Sequence, residues 1–354
     1  MLIDGSYGEG GGAILRNSLA LSILTRKPFT INNLRINRQN PGLKAQHLSA
    51  VLAGQQLCEA TVEGASLGAK TLKFAPKHLE PQTISIDIGT AGSITLMLQA
   101  LLLPSLFAAD KIHLKIKGGT DTKWSMPIDY FCNVFLQHIN HLASIRTQVV
   151  ERGYYPIGGG KVDITIVPKY HIKDTSLHEF MAILRNTEHA FNNLHLGDLV
   201  SITGISHATK NLQEAQVAER QIIGAKHALS QQNCALKFKA EYNQAMGKGS
   251  GLCLWAKFNS GAIIGADALG ASGKRAEIVG QEAAANLLEQ ISKAAPVDKY
   301  LADQLIPYLA LIGGSYKATE ITKHTLTNIH VVNQFINDSV KLTHNTISAA
   351  QYPS

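Results

Sequence analysis

The chain has four cysteines in 354 residues, Cys58, Cys132, Cys234 and Cys253, and no C-x-x-C among them. That excludes a zinc knuckle or a dithiol redox motif, and it predicts buried free thiols in a reducing compartment. Long apolar runs are missing too. The most apolar one, "LMLQALLLPSLFAA" (96–109), is too short for a bilayer and contains Pro104. The N-terminus "MLIDGSYGEGGG" turns polar and glycine-rich within four residues, unlike a signal peptide. A soluble, cytoplasmic protein is expected, with no membrane partner. Aromatic residues make up 6 %, and no base-stacking motif of the RRM kind is visible. Hydrophobic residues at 45 % exclude disorder and allow a large core.

The most informative absence is one of charge. No Asp or Glu occurs between Glu9 and Glu59, while Arg16, Arg26, Lys27, Arg35, Arg38 and Lys44 all do. Solvated surfaces usually mix signs. A one-signed stretch interleaved with core residues predicts a surface that holds phosphate. The net charge of +7 agrees in sign.

What is present repeats. Three segments read helix, short loop, strand, helix: 13–24 with 29–36 and 42–57; 94–103 with 111–119 and a helix near 127–144; 300–314 with 316–322 and 327–336. Strands are expected at 71–76, 160–168 and 339–348. Arg16 precedes Arg38 by 22 residues, Gln99 precedes Asp121 by 22, and Gln304 precedes His324 by 20. These spacings make Arg35/Arg38, "GGTD" (118–121) and His324 equivalent strand-to-helix corners. Three units around a pseudo-threefold axis would bring the corners together. Between the second and third copies a β-α-β-β pattern, 182–272, reads as a small inserted α/β domain. The large domain is then 1–181 plus 273–354.

Several segments carry chemistry. "DGSYGEGGGAILR" (4–16) places five glycines before a helix. Glycine allows close backbone approach to an anion, and the helix start offers free N–H groups. No G-K-[ST] follows, so this is not a Walker loop. Glu9, the lone carboxylate there, is a candidate metal ligand. "RGYYPIGGGKV" (152–162) predicts either a tight packing site or a ligand contact. His330 falls inside the last helix and reads as structural. His324 precedes that helix, with Thr325 or Thr327 as candidate N-cap, where positive potential favours the neutral ring a nucleophile needs.

Taken in order, "DGSYGEGGGAILR", "RINRQNPGLKAQHL" (35–48), "IGTAGSITLMLQ" (88–99), "GGTD", "RGYYPIGGGKV", "YLADQL" (300–305) and "HTLTNI" (324–329) resemble the RNA 3′-terminal phosphate cyclases. The resemblance implies an α/β fold of three repeated units, each two helices on a four-stranded sheet, plus a small inserted α/β domain. It implies that a histidine attacks the α-phosphorus of ATP and releases pyrophosphate. The AMP then passes to an RNA 3′-phosphate, and the 2′-OH closes a 2′,3′-cyclic phosphate. By position the nucleophile falls on His324. The ATP contacts fall on Gln99, Tyr300, Leu301, Ala302, Asp303 and Gln304. Phosphate contacts fall on Arg16, Arg35 and Arg38, and the Mg²⁺ or Mn²⁺ contact falls on Glu9. Tyr300 would stack on adenine, and Asp303 would accept from its amine or the ribose. One position departs: Ala13 stands where the family commonly has Gln after "GEGGG".

Two other readings exist. Ribosome-assembly relatives of this fold bind RNA without the histidine, but His324 and the intact "YLADQ" argue against them. Enolpyruvyl transferases use similar units, but six of them, and only three are visible here. The sequence leaves monomer and homodimer open.

Overall fold

The computed structural model describes residues 1–172, 175–337 and 339–350. The first unit contains β1 (Leu2–Asp4), α1 (Gly12–Thr25), β2 (Phe29–Asn32), α2 (Ala45–Cys58), β3 (Thr61–Glu63) and β4 (Leu72–Ala75). Its sheet runs β1-β2-β4-β3, with only β1 and β2 parallel. The second contains β5 (Thr83–Asp87), α3 (Ile94–Ser105), β6 (Ile112–Gly118), α4 (Ile128–Tyr130), β7 (Ala143–Glu151) and β8 (Gly160–Pro168). Its order β5-β6-β8-β7 is the same, with the same mix of directions.

Next come α5 (Leu177–Thr187) and β9 (Phe191–Asn193). An insert follows: β10 (Leu199–Thr209), α6 (Val217–Ala228), β11 (Ala235–Asn243), β12 (Ser250–Phe258), β13 (Ile263–Leu269) and α7 (Ala276–Ser292). Its sheet runs β11-β10-β12-β13, and α6 and α7 pack together over it around Leu252, Leu254, Ala283 and Leu287. The chain returns through α8 (Lys299–Gln304), α9 (Ile306–Ile312), β14 (Gly314–Lys317), α10 (Lys323–Phe335), β15 (Val340–Thr343) and β16 (Thr346–Ala349). The third sheet, β9-β14-β16-β15, repeats the order of the first two.

The threefold repeat and the mixed α/β class are therefore as expected. α1 is buried on all sides from Ala13 to Leu24, as a helix wedged between other helices must be. It packs on α3 and α10. The apolar run 96–109 lies mostly in α3, at the centre of the core; among the described residues no helix is long and apolar enough to cross a membrane.

Several boundaries differ from the sequence reading. The expected insert, 182–272, takes in β9, yet β9 pairs with β14 and belongs to the third sheet. It leaves out α7, which covers the insert's own sheet. A three-residue strand cut from its sheet mates by a long insertion carries no local signal. The 300–314 helix is two, α8 and α9, because Pro307 at the start of α9 has no N–H to continue a helix. The 127–144 helix is helical only over 128–138, with a π-type turn at 131–135. The 339–348 strand is the hairpin β15–β16. The cap of α10 is Thr322, which accepts from Thr325 N; His324 thus lies in the first turn, not before it.

Candidate active site

The positions matched by spacing meet where the units meet. Arg16 Nε donates to Gln99 Oε1 at 2.7 Å, and Gln99 Nε2 donates to Gln304 Oε1 at 2.6 Å. Gln304 Nε2 in turn donates to Asp303 Oδ1 at 2.8 Å. Arg16 of α1, Gln99 of α3, and Gln304 and Asp303 of α8 form this chain. A second thread, Asn17 Nδ2 to Asn328 Oδ1 at 2.8 Å, ties α1 to α10.

This seam floors a cleft of about 580 Å³. Arg16, Gln99, Tyr300, Asp303, Gln304 and His324 all line it. Tyr300 is half exposed, and the Lys299 ammonium lies 5.3 Å from its ring centre. Leu301 and Ala302, expected at the nucleotide, are instead fully buried, with side chains in the core. A helix turn that presents Tyr300 and Asp303 must turn the residues between them away.

The glycine loop reaches the same place. Gly8 has φ 57°, and a Cβ there would collide with Thr327 Oγ1 on α10. Only glycine lets the loop lie against the helix, which sets Glu9 beside its first turn. Glu9 Oε2 lies 2.6 Å from His324 Nδ1, and Glu9 Oε1 pairs with Arg38. Glu9 Oε2 is buried, and apart from this ion-pair contact with the ring it accepts no hydrogen bond among the described residues. The first and third corners thus converge. The second does not: Asp121 turns away into a buried cluster with Arg152, Asp129 and His207.

Electrostatics sharpen the picture. Burial lowers the His324 pKa, and Arg16 and Arg38 lower it further against an opposing pull from Asp303. The ring is neutral at pH 7. Burial raises Asp303 to about 6. Arg16 is 8 % exposed, and burial pushes it down to about 10. Arg35 Nη1 donates to Asn40 O and Gly42 O, so it braces the 35–42 loop as well as charging the site. Arg26 and Lys27 sit elsewhere, on the carbonyls of Ile172 and Phe335, so the basic stretch divides between site and scaffold.

Sequence reasoning missed His47. Its Nδ1 accepts from Lys44 N at 3.2 Å, which leaves Nε2 as the donor beside Gly12 and Arg16. Burial and its cationic neighbours lower it to about 3, so it is a neutral donor. The signal was present in the basic stretch, but a histidine on a helix is commonplace. His330 stacks on Tyr7 at 3.6 Å and contacts Gln334, as a structural residue would. In "RGYYPIGGGKV", Gly158 packs on the backbone of Thr90 and Ala91, Arg152 joins the buried cluster, and Tyr154 OH bonds His207 Nδ1 at 2.8 Å. That segment is a packing site. Ala13 is buried in the first turn of α1.

The family model for RNA 3′-terminal phosphate cyclase matches residues 7–342. The chain belongs to that family. Among curated relatives, the RNA 3′-terminal phosphate cyclase of Pyrococcus furiosus is 46 % identical over 336 residues, covering 95 % of this chain and 93 % of its own length. That of Pyrobaculum neutrophilum is 43 % identical over 344 residues, 96 % and 94 %. That of Caldivirga maquilingensis is 41 % identical over 369 residues, 99 % of both.

Proposed function

We propose that this chain converts an RNA 3′-terminal phosphate to a 2′,3′-cyclic phosphate at the expense of ATP, in the cytoplasm, through His324–AMP and RNA–adenylate intermediates. The observation that carries the reading is His324: neutral, half exposed in a cleft, and flanked by Glu9 and two arginines. A proton on Nδ1, the atom facing Glu9, leaves the Nε2 lone pair free. Nε2 attacks the α-phosphorus, the bond to pyrophosphate breaks, and a phosphoramidate forms. A terminal phosphate oxygen of RNA then displaces the histidine and takes the AMP. The 2′-OH attacks the same terminal phosphorus, loses its proton, and AMP leaves. Arg16 and Arg38 supply positive charge, and His47 a neutral N–H donor, where phosphate oxygens gather. The uncapped start of α1, at Gly11, adds backbone N–H groups. Adjacency of the 2′-OH supplies much of the closing rate.

A divalent cation fits this site. Glu9 Oε2 is a buried carboxylate oxygen without a hydrogen bond, and one protein carboxylate is enough for Mg²⁺ or Mn²⁺ when phosphate and water complete the shell. Bound there, the ion would neutralise phosphate charge. The one cluster of metal-ligand type among the described residues, Asp121, Asp129 and His207, already holds Arg152 and does not fit.

The test is α-labelled ATP followed by assay for acid-labile, alkali-stable label on protein. His324→Ala should abolish labelling, and His330→Ala should keep most of it. Equal loss in both would sink the assignment. RNA ending in a 3′-phosphate should cyclise, one ending in 3′-OH should not react, and a 2′-deoxy 3′-phosphate end should stall as the adenylate.

A further inference from the structure

The inserted unit reaches the cleft. Asp267, on β13, lines it together with Tyr300 and His324. Among the described residues no hydrogen bond or ion pair engages its carboxylate; only its backbone oxygen is taken, by Asn286 Nδ2 at 3.1 Å. Such a group at the edge of a pocket is available to a ligand.

Its position is fixed by one buried residue. Asp298 caps α8, accepting from Tyr300 N at 3.0 Å and Leu301 N at 2.9 Å. The same carboxylate accepts from Gly265 N on β13 at 3.0 Å and from Tyr130 OH at 2.7 Å. Gly265 and Asp267 share a face of β13, being two residues apart. So the turn that presents Tyr300 and the strand that presents Asp267 are pinned to one another.

The cleft has two ends. His324 shares its field with Asp303, Arg16 and Arg38. Tyr300 shares its own with Asp267, Asp298, Glu289 and Glu320. A nucleotide whose α-phosphate sits at His324 and whose base lies on Tyr300 turns the edge of that base toward Asp267. Asp303, one turn along α8 from Tyr300, is bonded to Gln304 and shares the field of His324 and Arg16, which leaves the base edge to another acceptor.

We propose that Asp267 reads the exocyclic amine of adenine, so that the inserted unit supplies the base-specificity element of the nucleotide site. This rests on the nucleotide reading of the cleft. The chemistry favours adenine over guanine. Burial, with Asp121 and Asp298 nearby, pushes Asp267 up to about 7. In either protonation state the carboxyl offers an oxygen to the adenine amine, whereas guanine presents a carbonyl oxygen in place of that donor.

The experiment compares protein labelling by α-labelled ATP with labelling by α-labelled purine riboside triphosphate, which lacks the amine. Asp267→Ala should raise the half-saturating ATP concentration on the order of ten-fold or more, with the maximal labelling rate kept. The same variant should label with purine riboside triphosphate as the wild type does, which shows the site intact. Asp267→Asn keeps an acceptor oxygen and should stay within a few-fold of wild type on ATP. Equal losses on both nucleotides, or no loss on ATP, would overturn the proposal. A wild-type protein that labels with neither would overturn the proposed function, and this inference with it.

Discussion

Two buried arginines, Arg152 and Arg16, are solvated differently by the protein around them. Arg152 contacts three carboxylates, Asp121 at 3.2 Å, Asp129 at 2.8 Å and Glu241 at 3.4 Å, and its pKa is pushed up although burial opposes this. Among the described residues Arg16 has a single neutral acceptor, the Gln99 amide at 2.7 Å, and its pKa is pushed down to about 10. A buried charge must be compensated. Arg152 is compensated by the chain, and it fastens the insert to the second unit. Arg16 is left for something else to complete, and it borders a cleft. The same contrast separates the repeat corners: the second is closed on itself, while the first and third converge and leave Glu9 Oε2 unbonded. Among pseudo-equivalent positions, the unsatisfied ones mark the site.

The strongest way to break this comparison is at Arg152. Arg152→Met strands Asp121 and Asp129 together in a dry interior. Breaking a buried pair this way costs about 3–5 kcal/mol. For a chain of this length that is a fall in Tm of roughly 4–7 °C. The Arg152→Met, Asp121→Asn, Asp129→Asn triple variant should recover much of it. An unchanged melting temperature in Arg152→Met would mean the cluster is not the fastening described.

Arg16→Met should behave in the opposite way. It removes a poorly compensated buried cation, so Tm without ligand should stay level or rise. Labelling by ATP should fall by about 10- to 150-fold, the loss expected for a charge-assisted contact of about 1.5–3 kcal/mol. Arg16→Lys should rescue only in part, because a fork becomes a point charge. ATP should raise the Tm of the wild type by mass action, and much less that of Arg16→Met. Arg16→Met with full labelling and a lowered Tm would place Arg16 with Arg152, as scaffold.

Much of this was legible in the chain. The spacing of Arg16, Gln99 and Gln304 from their corners predicted an equivalence that the hydrogen-bond chain realises. Alternation in "GKVDITIVP" gave β8 its limits, because a strand with one face in the core writes its period locally. What could not be read was set by distant partners. β9 is three residues long and pairs with a strand more than a hundred residues on. Leu301 and Ala302 look like site residues within "YLADQL" until the helix turn faces them inward. Asp267 sits in an ordinary alternating strand, and only the docking of the insert brings it to the cleft. Arg35 and Arg38 look alike in sequence, yet one braces a loop and the other meets Glu9.

The buried histidines give a third measure, in pH. His47 is lowered to about 3 and His138 to about 4, in both cases chiefly by burial. Unfolded, each titrates near 6.5. Above pH 6.5 both states are neutral and their full stabilisation is present. Below it the unfolded chain binds protons that the folded one refuses, so stability falls with pH toward about 4. The slope is roughly 1.4 kcal/mol per pH unit for each group. Tm should therefore drop between pH 6.5 and 5, and His138→Gln should shallow that drop. A flat profile in the wild type would contradict the buried neutral rings.

The smallest expected effect is the most discriminating. Glu9 pairs with Arg38, whose side chain is 42 % exposed, and an ion pair open to solvent contributes about 1 kcal/mol at most. Glu9→Gln keeps the shape of the side chain and removes its charge. It should shift Tm by about 1 °C or less, far below the effect at Arg152. If Glu9 acts through a divalent cation, the same change should impair AMP transfer from ATP to His324 more than cyclisation of pre-adenylated RNA, the step that follows. Raising the Mn²⁺ concentration should recover part of the first step, because a weakened site refills by mass action. A large fall in Tm, or equal damage to both steps with no response to the cation, would show that Glu9 belongs with the closed cluster and not with the open one.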